Sequence, residues 1–141
     1  MFKVVNNGKM GTRATKFSAC IDLYSRIDTT IGAGETKIIP LGIKLDIEEF
    51  DDYFKKTHYL QLMLRSSLGK KGLILPNGVG VIDLDYTDEI CIIIHNASDN
   101  NYEIKKGDRI GQITLIEHKS HLFGIDTDTE RTGGFGSSGK R

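Results

Sequence analysis

The sequence predicts an all-β domain, a barrel or a sandwich, and three observations carry that prediction. Apolar residues alternate with polar ones in short runs, Gly, Asn and Asp turns divide the runs at close spacing, and only one stretch shows a helical period. At 141 residues the chain can bury one sizeable core and is too short for two ordinary domains.

Residues 2 to 5 and 19 to 24 are short apolar runs separated by a loop rich in Gly, Asn, Thr and Lys. From Lys37 to Ile47 the alternation is strict. Ile39, Leu41, Ile43, Leu45 and Ile47 share one parity, with a bend or interruption expected near Pro40, Leu41 and Gly42. Glu48 to Lys56 breaks the period, placing Phe50, Tyr53 and Phe54 at helical spacing with acids first and Lys55 and Lys56 last, which predicts one short helix. Period two returns at Leu60, Leu62 and Leu64. Further strands are expected at 73–75, 90–94, 102–104 and 109–116. Thr132 to Arg141 holds four glycines, two serines and a single large apolar residue, Phe135, too little surface to order a segment, so a flexible C-terminal arm is predicted.

Charge and cysteine usage exclude several classes. Nineteen basic and nineteen acidic residues cancel, leaving no broad positive field for nucleic acid or an anionic membrane. No run of about 18 apolar residues occurs and the start lacks the build of a signal peptide, so a soluble, cytoplasmic protein is expected. Cys20 and Cys91, in apolar runs far apart, read as buried free thiols of a reducing compartment.

The stretch from Asn77 to Ile90 carries the most chemistry. Gly78 and Gly80 let main chain approach a ligand, and Val79, Val81, Asp83 and Asp85 read as an extended edge with its acids on one parity. Tyr86 adds a flat ring. An acid pair, a ring and an approachable backbone suit a pocket for a small planar ligand. A carboxylate within reach of water can take its proton as that water attacks phosphorus, which makes Asp83 the candidate catalytic group. Arg65, Ser66 and Ser67 supply a forked guanidinium and two hydroxyls suited to phosphate oxygens. The segment from Gly134 to Lys140 approaches the G-x-x-x-x-G-K-[ST] pattern, but Arg141 replaces the Ser or Thr and no helix follows, so it is rejected as a phosphate loop. His118 and His121 have no acid or cysteine cluster at metal-ligand spacing and read as surface residues, as do His58 and His95.

Five segments, in order, resemble the five motifs of the trimeric deoxyuridine triphosphatase (dUTPase) family: Ala19 to Leu23, Arg65 to Gly69, Gly80 to Tyr86, Gly107 to Gln112, and Arg131 to Gly139. The resemblance implies a distorted jelly-roll β-barrel over residues 1–130 and an arm over 131–141 that closes a neighbouring subunit's site in a homotrimer. It implies hydrolysis of dUTP to dUMP and pyrophosphate, limiting uracil in DNA and supplying dUMP for dTMP synthesis. Asp83 would orient the attacking water, and Tyr86 would lie against the deoxyribose and exclude a 2′-hydroxyl. Main chain between Asn77 and Cys91, a hairpin including Gly80, Val81 and Ile82, would read uracil; mispaired buried polar groups can discriminate by about 4 to 5 orders of magnitude. Arg65, Ser66, Ser67 and Gln112 would hold the α- and β-phosphates. Arg131, Gly136, Ser137 and Ser138 would hold the γ end, with Phe135 stacked over uracil. Mg²⁺ would bridge phosphates, touching Asp22 through water. Relative to the usual motifs, Thr87 and Asp88 replace a common Arg-Gly, and the arm between Arg131 and Phe135 is one residue shorter. The related dCTP deaminases share the implied fold, and a dUTP-responsive binding or signalling module is a third reading from another class.

Overall fold

The computed structural model describes residues 1–132. Strands dominate them, as expected. In chain order these are β1 (Phe2–Val4), β2 (Ile21–Tyr24), β3 (Thr29–Ile31), β4 (Thr36–Pro40), β5 (Ile43–Leu45), β6 (His58–Leu64), β7 (Leu73–Ile74), β8 (Gly80–Asp83), β9 (Cys91–Asn96), β10 (Tyr102–Ile104) and β11 (Arg109–Glu117). Two short helices interrupt them, α1 (Asp52–Thr57) before β6 and α2 (Ser66–Gly69) after it.

Every ladder is antiparallel. One sheet runs β2-β11-β6-β8 and another β4-β9-β7, with the ribbons β1-β5 and β3-β10 at their margins. Strands adjacent in sequence pair with distant ones, so the chain crosses repeatedly between sheets. That is jelly-roll behaviour, and the apolar faces meet in one core.

The period-two reading of the fourth and fifth strands holds in detail. Ile39, Leu41, Ile43 and Leu45 are all buried, although the strand breaks between Pro40 and Ile43. Gly42 makes the break, with φ +70°. Its carbonyl accepts from the Val5 N–H at 2.9 Å, and a Cβ built on it would lie 2.5 Å from the Cα of Gly8. Two main chains touch there with no side chain between them.

The helical stretch differs from the expected single helix over 48–56. Ile47–Glu49 forms a 3₁₀ turn, the backbone extends at Asp51, and α1 starts beyond it. The cause is local: the Asp51 carboxylate accepts from the Phe54 N–H at 2.8 Å, an N-cap that begins a new helix rather than continuing the old turn. Phe50, Phe54 and His58 then stack in series, with centroids 5.5 and 4.0 Å apart. The second helix was not expected, because Arg65 to Ser67 reads as the mouth of a strand. In the structure Arg65 is extended and one helical turn follows, anchored by buried Leu68. Strand β3, too short for a clear alternation, is a further addition.

The stretch from Asn77 to Cys91 is not a hairpin. Strand β8 pairs with β6 and β9 pairs with β4 and β7, so residues 84–90 bridge two sheets.

The contact between Gly8 and Gly42 sets a stability prediction. Gly42→Ala adds a left-handed penalty and a collision with backbone, so it should destabilise the fold by more than about 2 kcal/mol. Urea unfolding of the variant checks this; an unchanged midpoint would mean that the corner opens around a methyl group.

Candidate active site

Strand β8 and the turn after it build one side of a cavity of about 230 Å³. Gly80, Val81 and Ile82 line it, with Asp83 at the end of the strand. Asn77, Tyr86 and Cys91 complete that wall, and Arg131 reaches in from the C-terminal segment. The structure therefore brings together eight of the residues marked in the sequence.

The two glycines serve different ends. Gly78, with φ +80°, makes the turn into β8 and has open space where a Cβ would stand. Gly80 lies opposite Leu62, whose Cβ would be 3.0 Å from an added Cβ. Its missing side chain is demanded by core packing as well as by the cavity.

Asp83 and Asp85 do not share one face of an extended strand. Strand β8 ends at Asp83, the Tyr86 N–H donates to the Asp83 carbonyl at 3.1 Å, and buried Leu84 pins the turn. The turn, not strand parity, presents both carboxylates to Arg131. Its Nη2 donates to Asp83 at 2.5 Å and its Nε to Asp85 at 2.7 Å. The acids remain half exposed, 59% and 48%.

The ring of Tyr86 packs against the core, and its hydroxyl donates to the Glu89 carbonyl at 3.2 Å. Burial above all pushes the phenol up to about 12. Cys91 shares that carbonyl, its Sγ donating at 3.6 Å. Both cysteines are free, and both are half-buried rather than fully enclosed.

The phosphate-suited residues stand elsewhere. Asp22, nearly buried, lies 3.2 Å from the Nε of Arg65 and 3.5 Å from the Nη1 of Arg109. Gln112, opposite Asp22 across β2 and β11, donates to the Leu64 carbonyl at 3.0 Å. Ser66 and Ser67 are exposed on α2 beside them. In the ladder of β6 with β8, Asp83 faces Tyr59, six residues before Arg65. At about 3.3 Å per residue, that is about 20 Å along the strand. Within one chain, Asp83 and the cluster around Asp22, Arg65 and Gln112 stand at separate places. Arg109 was not marked by the sequence reading, nor were Arg26 and Glu89. Phe135, Gly136, Ser137 and Ser138 lie outside the described residues.

Comparison with known proteins bears on these two clusters. The family model described as dUTPase matches residues 6–139. The chain is 41% identical to the deoxyuridine 5′-triphosphate nucleotidohydrolase of Haemophilus ducreyi, over 92% of this chain and 86% of that one. Among solved structures it resembles the dUTPase of Streptococcus mutans, with 27% identity, a TM-score of 0.73, and coverage of 89% of this chain and 98% of that one. It also shares the fold of a dUTPase from phage phi11 of S. aureus, described with a structural Mg(II) ion, at 16% identity, a TM-score of 0.71 and coverage of 97% and 98%.

Burial, reinforced by the charge of Glu89, pushes the Cys91 thiol up to about 11 from its ordinary 9.0. Since the thiolate is the nucleophile, iodoacetamide near neutral pH should label Cys91 more slowly than free cysteine, with the rate rising as pH approaches 11, read by mass spectrometry. The raised value also fixes the sign of its linkage to folding. Its contribution is intact below pH 9 and is lost as pH climbs toward 11, so the wild type should lose Tm over that interval more steeply than Cys91→Ala.

Proposed function

The chain belongs to the dUTPase family, and from that premise we propose that it hydrolyses dUTP to dUMP and pyrophosphate by attack of water on the α-phosphorus. In a cell this removes a source of uracil in DNA and yields dUMP for dTMP synthesis. The observation that carries the reading is that Asp83 and Tyr86 line one cavity with Gly80, Val81 and Ile82.

In that cavity the exposed N–H and C=O groups of Gly80, Val81 and Ile82, with Asn77 and Cys91 beside them, present a fixed pattern to uracil. Cytosine reverses that pattern and would leave buried groups unpaired. Deoxyribose packs on the Tyr86 ring, which stands where a 2′-hydroxyl would go. Asp83, next along the strand, orients a water toward the α-phosphorus and takes its proton as the pyrophosphate leaves. Arg131 holds Asp83 and Asp85 until a triphosphate arrives. Its guanidinium then exchanges two half-exposed carboxylates for the γ-phosphate, while Phe135 caps the base and Gly136 and Ser137 follow the phosphates.

Arg65, Ser66, Ser67 and Gln112 are the donors for the α- and β-phosphates, yet Arg65 sits about 20 Å along β6 from Asp83 of the same chain, with Ser66 and Ser67 beyond it, and Gln112, opposite Met63, about 13 Å along. A second chain must supply them. This favours a homotrimer with sites between subunits and an arm, 131–141, exchanged onto a neighbour, where Arg131 would leave Asp83 and Asp85 of its own chain for the same pair on the next subunit.

The donor set at Asp22 can be weighed against a metal. Both of its oxygens already face guanidinium groups, so Asp22 aligns Arg65 and meets an ion only through water. Mg²⁺ retains waters readily, and when carried by the phosphates it would neutralise their charge. No described helix is long and apolar enough to cross a membrane.

Incubation with dUTP, dCTP, dTTP and UTP in Mg²⁺ tests the activity. Pyrophosphate should form rapidly from dUTP alone; ammonia from dCTP would indicate a deaminase, and binding without product a signalling module. Asp83→Asn should retain dUTP binding while kcat falls by about 10² to 10⁴, and full activity would show the base to be misassigned. Deletion after Arg131 should cripple turnover while leaving an assembly of three truncated chains, each ten residues lighter than the full 15.7 kDa chain, read by light scattering.

A further inference from the structure

Glu89 lies behind the cavity and is not among its lining residues, yet its carboxylate is saturated with donors. One oxygen accepts from Arg26 Nε and from the Gly42 N–H, each at 2.7 Å. The other accepts from Arg26 Nη2 at 3.1 Å and from Asn6 Nδ2 at 2.9 Å. Its side chain is only 15% exposed. Three segments far apart in sequence converge on it, and two hold left-handed backbone to do so, Asn6 at φ +53° and Gly42 at φ +70°.

The main chain of the same residue faces the other way. The Glu89 carbonyl receives the Tyr86 hydroxyl at 3.2 Å and the Cys91 thiol at 3.6 Å. Ile90, beside it, is locked by hydrogen bonds in both directions: its N–H donates to Ile43 at 2.8 Å and its carbonyl accepts from Leu41 at 3.0 Å. The peptide between Glu89 and Ile90 is thus held at its Ile90 N–H by Ile43 and at the Glu89 Cα by the anchored side chain, so freeing the carboxylate lets that peptide turn about the remaining bond and shifts the acceptor of the Tyr86 hydroxyl.

We propose that Glu89 is a positioning residue for sugar discrimination, its four-donor carboxylate holding the carbonyl that sets the Tyr86 ring against the substrate's 2′ position. The proposal rests on the reading of Tyr86 as the deoxyribose platform. Loosening the node lets the ring yield to a ribose hydroxyl, so selectivity falls before chemistry does.

The quantity to measure is the ratio of kcat/KM for dUTP to that for UTP, in the full-length wild type, Glu89→Gln, Glu89→Ala, Asn6→Ala and Tyr86→Ala. A reduced folded fraction scales both substrates equally and leaves the ratio unmoved, which separates positioning from stability. Glu89→Ala should lower the ratio by about tenfold, chiefly through KM. Glu89→Gln, which keeps the shape and loses the charge, should lie between it and the wild type, and Asn6→Ala, which removes one donor, should lower the ratio least. Should Glu89→Ala fail to fold, Glu89→Gln and Asn6→Ala carry the test. A ratio that collapses in Tyr86→Ala but holds at the wild-type value in the Glu89 and Asn6 variants overturns this proposal alone. A ratio that survives Tyr86→Ala overturns the reading of the ring, and the role of Glu89 with it.

Discussion

The antiparallel ladder between β6 and β8 sets the terms for the rest of the molecule. It places Asp83 opposite Tyr59 at one end and leaves Arg65 beyond the other. A pleated strand cannot be shortened, so Asp83 and Arg65 of one chain stay apart by the length of β6. No side-chain rotamer spans that distance. Chemistry that needs both must therefore draw them from different copies, and the residues at each end need only face outward from their own sheet.

Three ion-paired nodes divide the work according to how deeply they are buried. Arg131 with Asp83 and Asp85 sits half in solvent, where such pairs contribute about 0 to 1 kcal/mol. A polyanionic ligand can displace such half-exposed pairs at little energetic cost. Asp22, nearly buried between Arg65 and Arg109, fixes the direction of two guanidiniums that would otherwise wander. Glu89 is the most restrained. Burial disfavours its charge, but hydrogen bonds from Arg26, Asn6 and the Gly42 N–H outweigh that and keep it ionised below the usual carboxylate range. A chain of zero net charge thus concentrates its electrostatics into local pairs, one exchangeable and two rigid.

Much of the barrel was legible because burial with period two leaves a direct imprint: Ile39, Leu41, Ile43 and Leu45, and again Leu60 and Leu62. The cavity residues were legible too, since Gly80 to Tyr86 is one contiguous segment. What the chain order concealed is long range. Arg26 meets Glu89 across 63 positions and Arg109 meets Asp22 across 87, and nothing local distinguishes them from solvated surface charges. Short elements were lost for a related reason. A three-residue strand such as Thr29–Ile31 has too few residues to show a period. Its identity comes from the partner strand it meets.

The misread hairpin is the most instructive case. The family resemblance implies a hairpin from Asn77 to Cys91, and the alternation of valines and acids reads as an extended edge whose parity presents both carboxylates. In the structure β8 is an edge strand that, among the described residues, pairs with β6 alone, and Leu84 dives into the core to start a crossover toward β9. That burial does what parity could not. It turns the chain so that Asp83 and Asp85 approach one guanidinium, sends the Tyr86 ring down against the core, and leaves the edge of β8 without a neighbouring strand among the described residues. An edge strand with unpaired N–H and C=O groups is ordinarily a hazard for aggregation. Here the residues of that edge line a cavity, so the feature that a stable barrel would normally cover stays open to a small planar ligand.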